Sequence, residues 1–424
     1  MKGKYSIFFG GAAREVGRSS FVLDIGDKFL LDHGLKLKGD VTEYPAAVKT
    51  NLNALILSHS HLDHSGHVPH LYDTSHCVSY MTYPTLEISR VLWFDTLKIA
   101  EMEGQQPLFS KNEIEKATKF AFPVQYNKKL QITEKTTMEL FQAGHIPGAA
   151  ITKFEFDNKS FVYTGDFKLS ETPMFFGADL KSVKNCNYMV MESTYGDREH
   201  PPRKQVEKEF VEYIQQTVDR GGTALVASFA IARSQEVLEI LVRNGFSGDI
   251  FYDGMGQKVA RIFLENPTYL KDPKYFAKVM KQVKGIRHRN DRKKVFKQPS
   301  VIVTSAGMLQ GGPAMFYLPH LIRDKRSSIS LTGFQVDGTP GRVLLDTGIL
   351  PFEGTNIKSE CSVKRFDLSA HPPQSELLKA AEKLNPEKIF CVHGDTKVID
   401  ILIKELKARG FDASGPSVGD RVEF

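Results

Sequence analysis

Short apolar runs that stop at a polar residue or a glycine recur in the N-terminal half of the chain and again near its C-terminus. Runs of this length with polar breaks on both sides predict buried β-strands. They are Lys28–Leu31, Leu52–Leu57, Met138–Phe141, Ser160–Tyr163 and Lys388–Val392. Segments with helical spacing lie between them, among them Ser65–Tyr72, Pro84–Glu101 and Lys111–Phe120. The alternation predicts an α/β fold.

A different pattern of predicted helices and strands begins at Pro201–Pro202–Arg203. Lys204–Arg220 has the pattern of a helix, and Gly222–Phe229 that of a buried parallel strand leading into a helix from about Ser234. Further strands are predicted at Asp249–Tyr252, Ser300–Thr304 and Ser328–Leu331. This alternation is typical of a doubly wound sheet. The glycine turns Asp253–Gly256 and Ser305–Met308 match neither a P-loop nor a full dinucleotide fingerprint, so we interpret them as strand-end loops.

Length and composition indicate a soluble protein of more than one domain. The chain has 424 residues, of which 41% are hydrophobic and 25% charged, and a single core rarely grows to this length. No long apolar run predicts a transmembrane helix, and Met1–Tyr5 lacks the apolar core of a signal peptide. The four cysteines, Cys77, Cys186, Cys361 and Cys391, are scattered. We therefore expect a reducing, cytoplasmic location and no thiolate metal site.

The highest density of possible metal ligands in the chain is in His59–Ser60–His61–Leu62–Asp63–His64, directly after a predicted strand. Imidazole and carboxylate are zinc ligands, and sites with few or no sulfurs are usually catalytic. On a strand-end loop, His59 and His61 can face one metal ion while Asp63 and His64 turn toward a second. A solvated histidine-rich turn is the alternative, but it does not account for this density of ligands.

Other candidate ligands also follow predicted strands. His145, Asp166 and His393 each stand where an apolar run gives way to glycine, and Asp32 repeats the pattern before His33–Gly34. Glycine lets the backbone approach a ligand site closely. Any one of these residues could belong to a capped turn. Together they are what a site with two metal ions and a bridging carboxylate requires.

These motifs resemble those of the metallo-β-lactamase superfamily. The later residues Glu192, His371 and His393 resemble the three further motifs of its β-CASP nucleases, in the RNA-cutting branch that includes the cleavage and polyadenylation specificity factor nuclease and its archaeal and bacterial relatives. The likeness covers nearly the whole chain, from Gly10–Gly17 onward. His393 distinguishes the branches, because RNA-directed members have histidine there and DNA-repair members typically have an apolar residue.

The resemblance implies a role for each residue. One zinc ion would be bound by His59, His61 and His145, a second by Asp63, His64 and His393, and Asp166 would bridge them. A hydroxide between the two ions would attack phosphorus. The candidate catalytic residues are His371 as general acid, Glu192 polarising it, Asp32 orienting ligands, and Asp63, which is also a ligand.

The resemblance also implies the architecture. We expect an αββα metallo-β-lactamase domain built from residues 1–198 and 358–424, with an α/β β-CASP domain inserted at residues 199–357. The active site would lie in a cleft between the two, which suits single-stranded RNA.

The formal net charge of +6 is too small to imply nucleic-acid binding. Its distribution is more informative, because nine basic residues against the single acid Asp291 lie between Lys278 and Lys297. A solvated helix face and phosphate contacts explain such a run equally well. The candidate RNA contacts are Arg287, Arg289, Lys293, Lys294 and, from a later glycine-rich turn, Arg342. No RNA-recognition signature appears, so we expect weak sequence readout.

We therefore predict a zinc-dependent ribonuclease that acts in mRNA 3′-end processing or RNA decay. Endonuclease and 5′-to-3′ exonuclease activity both stay open, because Pro372–Pro373 follow His371 where many relatives have a small residue and then an acid. The alternatives are a DNA nuclease, a small-molecule hydrolase of the same superfamily and a non-catalytic scaffold. A homodimer is one candidate assembly, and no membrane association is expected.

Overall fold

The structure is a computed structural model that describes residues 5–38 and 41–424. Met1–Lys4, which bear on the signal-peptide prediction, lie outside the described residues. The chain divides into two compact units, Met1–Glu199 with Ala370–Phe424, and His200–Ser369. No helix in the described ranges is both long enough and apolar enough to cross a membrane.

The described strands, in chain order, are β1 Ser6–Phe9, β2 Phe21–Asp24, β3 Lys28–Leu31, β4 Lys36–Lys38, β5 Val41–Glu43, β6 Ala54–Ile56, β7 Val78–Met81, β8 Ala121–Pro123, β9 Leu130–Gln131, β10 Thr137–Gln142, β11 Ala150–Phe156, β12 Lys159–Tyr163, β13 Tyr188–Glu192, β14 Thr223–Ser228, β15 Asp249–Asp253, β16 Lys284–Gly285, β17 Ser300–Ser305, β18 Ser328–Leu331, β19 Ile349–Phe352, β20 Thr355–Lys358, β21 Ser362–Arg365, β22 Lys388–Val392, β23 Ala413–Ser414 and β24 Arg421–Glu423.

The α-helices are α1 Leu62–Ser65, α2 Val68–Leu71, α3 Tyr83–Met102, α4 Lys111–Lys119, α5 Arg203–Asp219, α6 Arg233–Arg243, α7 Gly256–Glu265, α8 Pro273–Gln282, α9 Ala314–Leu321, α10 Pro340–Thr347, α11 Gln374–Leu384 and α12 Thr396–Ala408. Two 3₁₀ helices span Pro267–Tyr269 and Arg289–Lys297.

The first unit contains two seven-stranded sheets, with strand orders β24-β1-β2-β3-β6-β7-β8 and β23-β22-β13-β12-β11-β10-β9. Aromatic side chains of both sheets meet in one core; the rings of Phe29 and Phe154 stack with centroids 5.1 Å apart. On the outer face of the first sheet, Trp93 of α3 and Ile114 of α4 are fully buried. Helix α12 covers β22 and β23 of the second sheet. These layers form the predicted αββα sandwich.

The second unit is built on a six-stranded sheet of order β16-β15-β17-β14-β18-β21, in which every pair is parallel. Its central strands are buried along their length, as continuous apolar runs predict. The hairpin β19–β20 follows α10. The alternation of strands and helices confirms the predicted α/β fold.

The structure returns to the first unit later than residue 357. Strand β21 pairs with β18 in register from Ser328↔Ser362 to Leu331↔Arg365, so this segment completes the sheet of the second unit. Phe366, which is buried, packs its ring 5.1 Å from that of Phe210 in the same unit.

Two predicted helical segments also differ. Within Ser65–Tyr72 the helix is confined to the single turn α2, Val68–Leu71, and Ser65 is the last residue of the preceding turn α1. The N–H of His67 donates to the carbonyl of His33 instead of continuing α1. The basic run does not lie on one helix: it covers the end of α8, strand β16 and the second 3₁₀ helix.

Candidate metal centre and active site

Strand ends bring the candidate residues of the first unit together. Neighbouring parallel strands β3 and β6 end at Asp32 and at the His59–His64 loop, and β12, β13 and β22 are likewise parallel neighbours. Strand β10 runs in the direction of β12, because both are antiparallel to β11. Within each sheet, the carboxyl ends of these strands therefore point the same way.

At these strand ends the backbone packs closely against neighbouring segments. Gly34 lies against the histidine loop, where a Cβ would stand 1.8 Å from the carbonyl oxygen of Asp63. Gly165 has φ +51, and a Cβ there would stand 2.7 Å from the Cβ of Ser58. Asp32 (φ 56) and His393 (φ 51) also occupy the left-handed region, which few non-glycine residues adopt and in which Asn, Asp and His are enriched.

Three imidazoles converge in the first ligand cluster. The Nδ1 of His61 lies 3.1 Å from the Nε2 of His59 and 3.1 Å from the Nε2 of His145. With zinc–nitrogen bonds of about 2.0–2.1 Å, tetrahedral ligation separates two nitrogens by roughly 3.3 Å. The three nitrogens therefore have the spacing of ligands to one ion. Asp166 lies beside them, with its Oδ2 3.5 Å from the Nε2 of His59.

The protonation of this cluster suits ligation. Burial lowers the pKa of His59 and of His145 well below the ordinary value, and neighbouring imidazoles lower both further. Burial also lowers the pKa of His61 to about 4, against the opposing effect of Asp63 and Asp166. All three are neutral at pH 7, and only a neutral imidazole has a lone pair for a metal.

The second cluster is richer in carboxylate. The Nε2 of His393 lies 3.2 Å from Asp63 Oδ2, and the Nε2 of His64 lies 3.4 Å from Asp166 Oδ2. One ligand atom from each of these four residues lies within 4.8 Å of all the others. Burial lowers the pKa of His64, but Asp166, Asp63 and Asp32 outweigh it and raise the pKa well above its usual value. The three carboxylates therefore favour positive charge here, and a metal ion bound in this half of the site would displace the proton of His64.

Asp166 belongs to both clusters. Its Oδ2 lies within 3.7 Å of the Nε2 atoms of His59, His64 and His145. Its Oδ1 is buried, and no hydrogen-bond donor within residues 5–38 and 41–424 satisfies it. A buried, unsatisfied carboxylate oxygen is costly, and a metal ion is one partner that would satisfy it. The predicted ligands therefore form two clusters, each of which could hold a metal ion, with Asp166 common to both.

Asp32 lies behind the second cluster. It is fully buried and accepts hydrogen bonds from the Nδ1 of His64 (2.7 Å), from the N–H and the hydroxyl of Ser58 (2.7 Å each) and from the hydroxyl of Tyr163 (2.5 Å). A bond to Nδ1 fixes the ring so that Nε2 faces the metal site. The contact is of the kind that an orienting role for Asp32 requires, and that role stays a prediction.

His371 and Glu192 form the predicted pair. The Nδ1 of His371 lies 3.0 Å and 3.1 Å from the two oxygens of Glu192, which also accepts the N–H of Phe167 at 2.9 Å. Burial lowers the pKa of His371, but Glu192 and Asp166 outweigh it and raise the pKa to about 9. The ring is therefore protonated at neutral pH, as a general acid must be. Its centroid lies 4.7 Å from that of His145, beside the first cluster.

The family models match the chain in three parts. A metallo-β-lactamase superfamily domain covers residues 22–194, a β-CASP domain residues 235–344, and a Zn-dependent metallo-hydrolase RNA specificity domain residues 356–416. A relative from Methanocaldococcus jannaschii, "Probable RNase MJ4", is 36% identical over 99% of this chain and 100% of its own length. The chain belongs to the β-CASP family of the metallo-β-lactamase superfamily.

Other relatives of this β-CASP protein carry related names. "RNase aCSPSF2" of Saccharolobus solfataricus is 31% identical over 98% of this chain and 84% of its own length. "Transcription termination factor FttA" of M. jannaschii is 30% identical over 93% of this chain and 68% of its own length. A crystal structure of an Enterococcus faecalis protein of unknown function has a TM-score of 0.63 at 13% identity, with coverage of 99% of this chain and 100% of that one. That likeness concerns the fold alone.

Three residues near the site were not predicted from the sequence. Tyr163 donates to Asp32, and Thr194 donates to Glu192 (2.7 Å). The ammonium of Lys168, which is buried, donates to the carbonyl of His371 (3.2 Å). Thr194 and Lys168 each stand two residues beyond a predicted site residue, which is the only signal that the sequence offers for them.

The candidate RNA contacts all lie in the second unit, whereas the ligand clusters lie in the first. Lys294 is paired with Asp291 (2.7 Å), and Arg342 with Asp346 (2.6 Å). Arg287, Arg289 and Lys293 are exposed and have no ion-pair partner in the described part of the chain.

Proposed function

We propose that this β-CASP protein is a ribonuclease that binds two zinc ions and hydrolyses phosphodiester bonds of single-stranded RNA. One observation carries the proposal: two ligand clusters share Asp166, and the protonated His371 lies beside them against Glu192. A small-molecule hydrolase of the superfamily would need neither His371 nor Glu192.

The donor set supports zinc as the metal. Five imidazoles and two carboxylates, without sulfur, form the two clusters, and nitrogen and oxygen donors are typical of catalytic zinc. Bound zinc would lower the pKa of a water from about 15.7 toward 7 and take up charge on the phosphate. His59, His61 and His145 would hold one ion, and Asp63, His64 and His393 the other, with Asp166 between them.

The chain's own residues would complete the reaction. The oxygen of a water that has lost a proton to solvent would form a bond to phosphorus while the bond from phosphorus to the 3′ oxygen breaks. His371 donates its proton to the departing 3′ oxygen, so that the products carry a 3′-hydroxyl and a 5′-phosphate. Glu192 keeps the imidazole protonated. Because it holds Nδ1, the Nε2 of His371 faces away from the carboxylate. Asp32 and Tyr163 keep the His64 ring in place.

RNA is the favoured substrate. Relatives that match nearly all of this chain are named ribonucleases, and the C-terminal match is to an RNA specificity domain that includes His371 and His393. Histidine at position 393 also separates the RNA-directed branch from the DNA-repair branch in the resemblance described above.

The test is incubation of the purified protein with single-stranded RNA and DNA of one sequence, each labelled at either end. We expect RNA to be cleaved and DNA to be cleaved much more slowly. Elemental analysis should find about two zinc ions per chain. Preferential cleavage of DNA would show that DNA is the substrate instead of RNA. An inactive protein with full zinc content would favour the scaffold alternative.

The same assay tests the mode of cleavage. Internal products from RNA with either a 5′-monophosphate or a 5′-triphosphate would identify an endonuclease. Mononucleotides released only from 5′-monophosphate ends would identify a 5′-to-3′ exonuclease. The homodimer stays a prediction, which sedimentation of the purified protein would test.

A further inference from the structure

The second 3₁₀ helix, Arg289–Lys297, presents three distinct faces. A 3₁₀ helix has about three residues per turn, so side chains three apart lie on the same face. One face carries Arg292 and Val295, the next Lys293 and Phe296, and the third Lys294 and Lys297. These faces differ sharply in their burial.

The first face fastens the helix to the sheet of the second unit. Val295 is fully buried, and the Nε of Arg292 donates to Asp253 Oδ2 at 2.7 Å. The hydroxyl of Tyr317 donates to the same oxygen at 2.8 Å. The backbone is therefore held in place, and the residues on the other faces are presented outward in a fixed arrangement.

An aromatic pair lies on the outward side. Phe296 is 37% exposed, and its ring centroid lies 5.1 Å from that of the exposed His320 on α9. A large apolar ring on a rigid surface offers a π-face to a ligand. Nucleobases stack on such rings in proteins that bind single strands.

Basic residues close in sequence to Phe296 lack ion-pair partners in the part of the chain that the structure describes. Arg287, Arg289, Lys293 and Lys297 are exposed, and none of them forms an ion pair with a carboxylate in residues 5–38 or 41–424. The neighbouring lysines differ: Lys294 is paired with Asp291 at 2.7 Å, and Lys284 with Asp249 at 2.6 Å. The unpaired cations are available to phosphates.

We propose that this surface binds single-stranded RNA, with bases stacked on its rings and phosphates on its cations. We call it the aromatic–basic patch, and its residues are Arg287, Lys293, Phe296, Lys297 and His320. The choice of RNA rests on the proposed function. The exposed rings favour a single strand over a duplex or an acidic protein, because only unpaired bases offer free faces to stack on.

Binding of a fluorescein-labelled 20-nucleotide RNA, measured by anisotropy in the His371→Ala background, tests the charges. The double variant Lys293→Gln/Lys297→Gln should reduce the slope of log affinity against log salt by about 1.4, since each lost contact to a single strand removes roughly 0.7. Its matched control is Lys284→Gln/Lys294→Gln, which removes the same charge from lysines that already have partners. An equal loss in both double variants would overturn the proposal.

The rings are tested separately. Phe296→Ala should weaken binding of the single strand by roughly five- to 150-fold, the effect of one lost base stack, with little change in salt slope. Phe296→Trp should keep the affinity, which separates stacking from misfolding. Equal weakening for a 20-base-pair RNA duplex, or full competition by polyglutamate, would show a site for charge alone and overturn the proposal.

The outcome is independent of catalysis. Wild-type protein that binds RNA through the patch but cleaves none would refute the proposed function and keep the patch. Wild-type protein that cleaves RNA, with patch variants that bind as tightly as it does, would refute the patch and keep the proposed function.

Discussion

The proposed general acid, His371, and the carboxylate that holds it, Glu192, have separate roles that substitutions can distinguish. His371 belongs to neither of the two clusters described above. It forms a third group of possible ligands with Asp166 and Glu192, but its Nδ1 lies 3.0 Å from the carboxylate of Glu192. We therefore expect His371→Ala to slow cleavage by roughly 10²–10⁴-fold, the usual effect of losing a general acid, with zinc content unchanged. Activity and elemental analysis on the same preparation would measure both. Loss of a metal ion in this variant would place His371 among the ligands instead.

Glu192 should set the alkaline limit of activity. The general acid works while protonated, so the rate should fall as the pH rises through the pKa of His371, which lies at about 9. Burial opposes that protonated form and the carboxylate of Glu192 favours it. Glu192→Gln should therefore move the alkaline limb of the pH–rate profile down by about one to three units. Glu387→Gln, which alters an exposed carboxylate of the same unit, is the control and should leave the limb in place. A limb that stays near pH 9 in Glu192→Gln would contradict the pairing.

At the scale of elements, two loops of the first unit hold His371. Pro372 and Pro373 cannot donate backbone hydrogen bonds. The loop is instead held by hydrogen bonds from side chains of other segments. Lys168 donates to the carbonyl of His371, and His145 donates to that of Ala370. Farther along, Glu376 accepts the N–H of Leu169 at 2.8 Å.

Lys168 should therefore act as a positioning residue. Lys168→Met keeps the length of the side chain but removes the donor, and a hydrogen bond from a charged group contributes about 1.5–3 kcal/mol. We expect kcat to fall by roughly ten- to 100-fold with little change in KM and none in zinc content. Lys168→Arg should recover part of kcat. A rise in KM and a loss of zinc, with no rescue by Lys168→Arg, would indicate a general structural defect.

The elements also show what the sequence could predict. Strand ends were predictable, because a short apolar run and the polar residue after it are both local features; β22 has the predicted bounds Lys388–Val392. The contacts of Tyr163 with Asp32 and of Lys168 with His371 join residues 131 and 203 positions apart. No local pattern encodes such a pairing. The break between the turns α1 and α2 likewise depends on a hydrogen bond to His33, which only the fold brings close.

For the whole molecule, the order of segments followed from the motifs, but the end of the inserted unit did not. Residues 358–369 lack any motif, and their assignment depends on the pairing of β21 with β18 at the sheet edge. Hydrophobic pattern alone does not say which sheet an edge strand joins. The second unit is nevertheless continuous in sequence, with its own sheet and its own core around Leu225, Ile302 and Ile329.

This continuity predicts where the unit can be cut. A fragment of residues 200–369 should fold alone, because it retains every strand of the six-stranded sheet. A fragment of residues 200–357 should be much less stable, because it lacks β21 and the buried side chains of Phe366 and Leu368. Loss of one such core side chain typically costs about 2–5 kcal/mol, and the freed edge of β18 would invite aggregation. Thermal unfolding by circular dichroism, with size-exclusion chromatography, measures both effects. Equal melting temperatures for the two fragments would place the boundary near residue 357 and assign β21 no part in the stability of the insert.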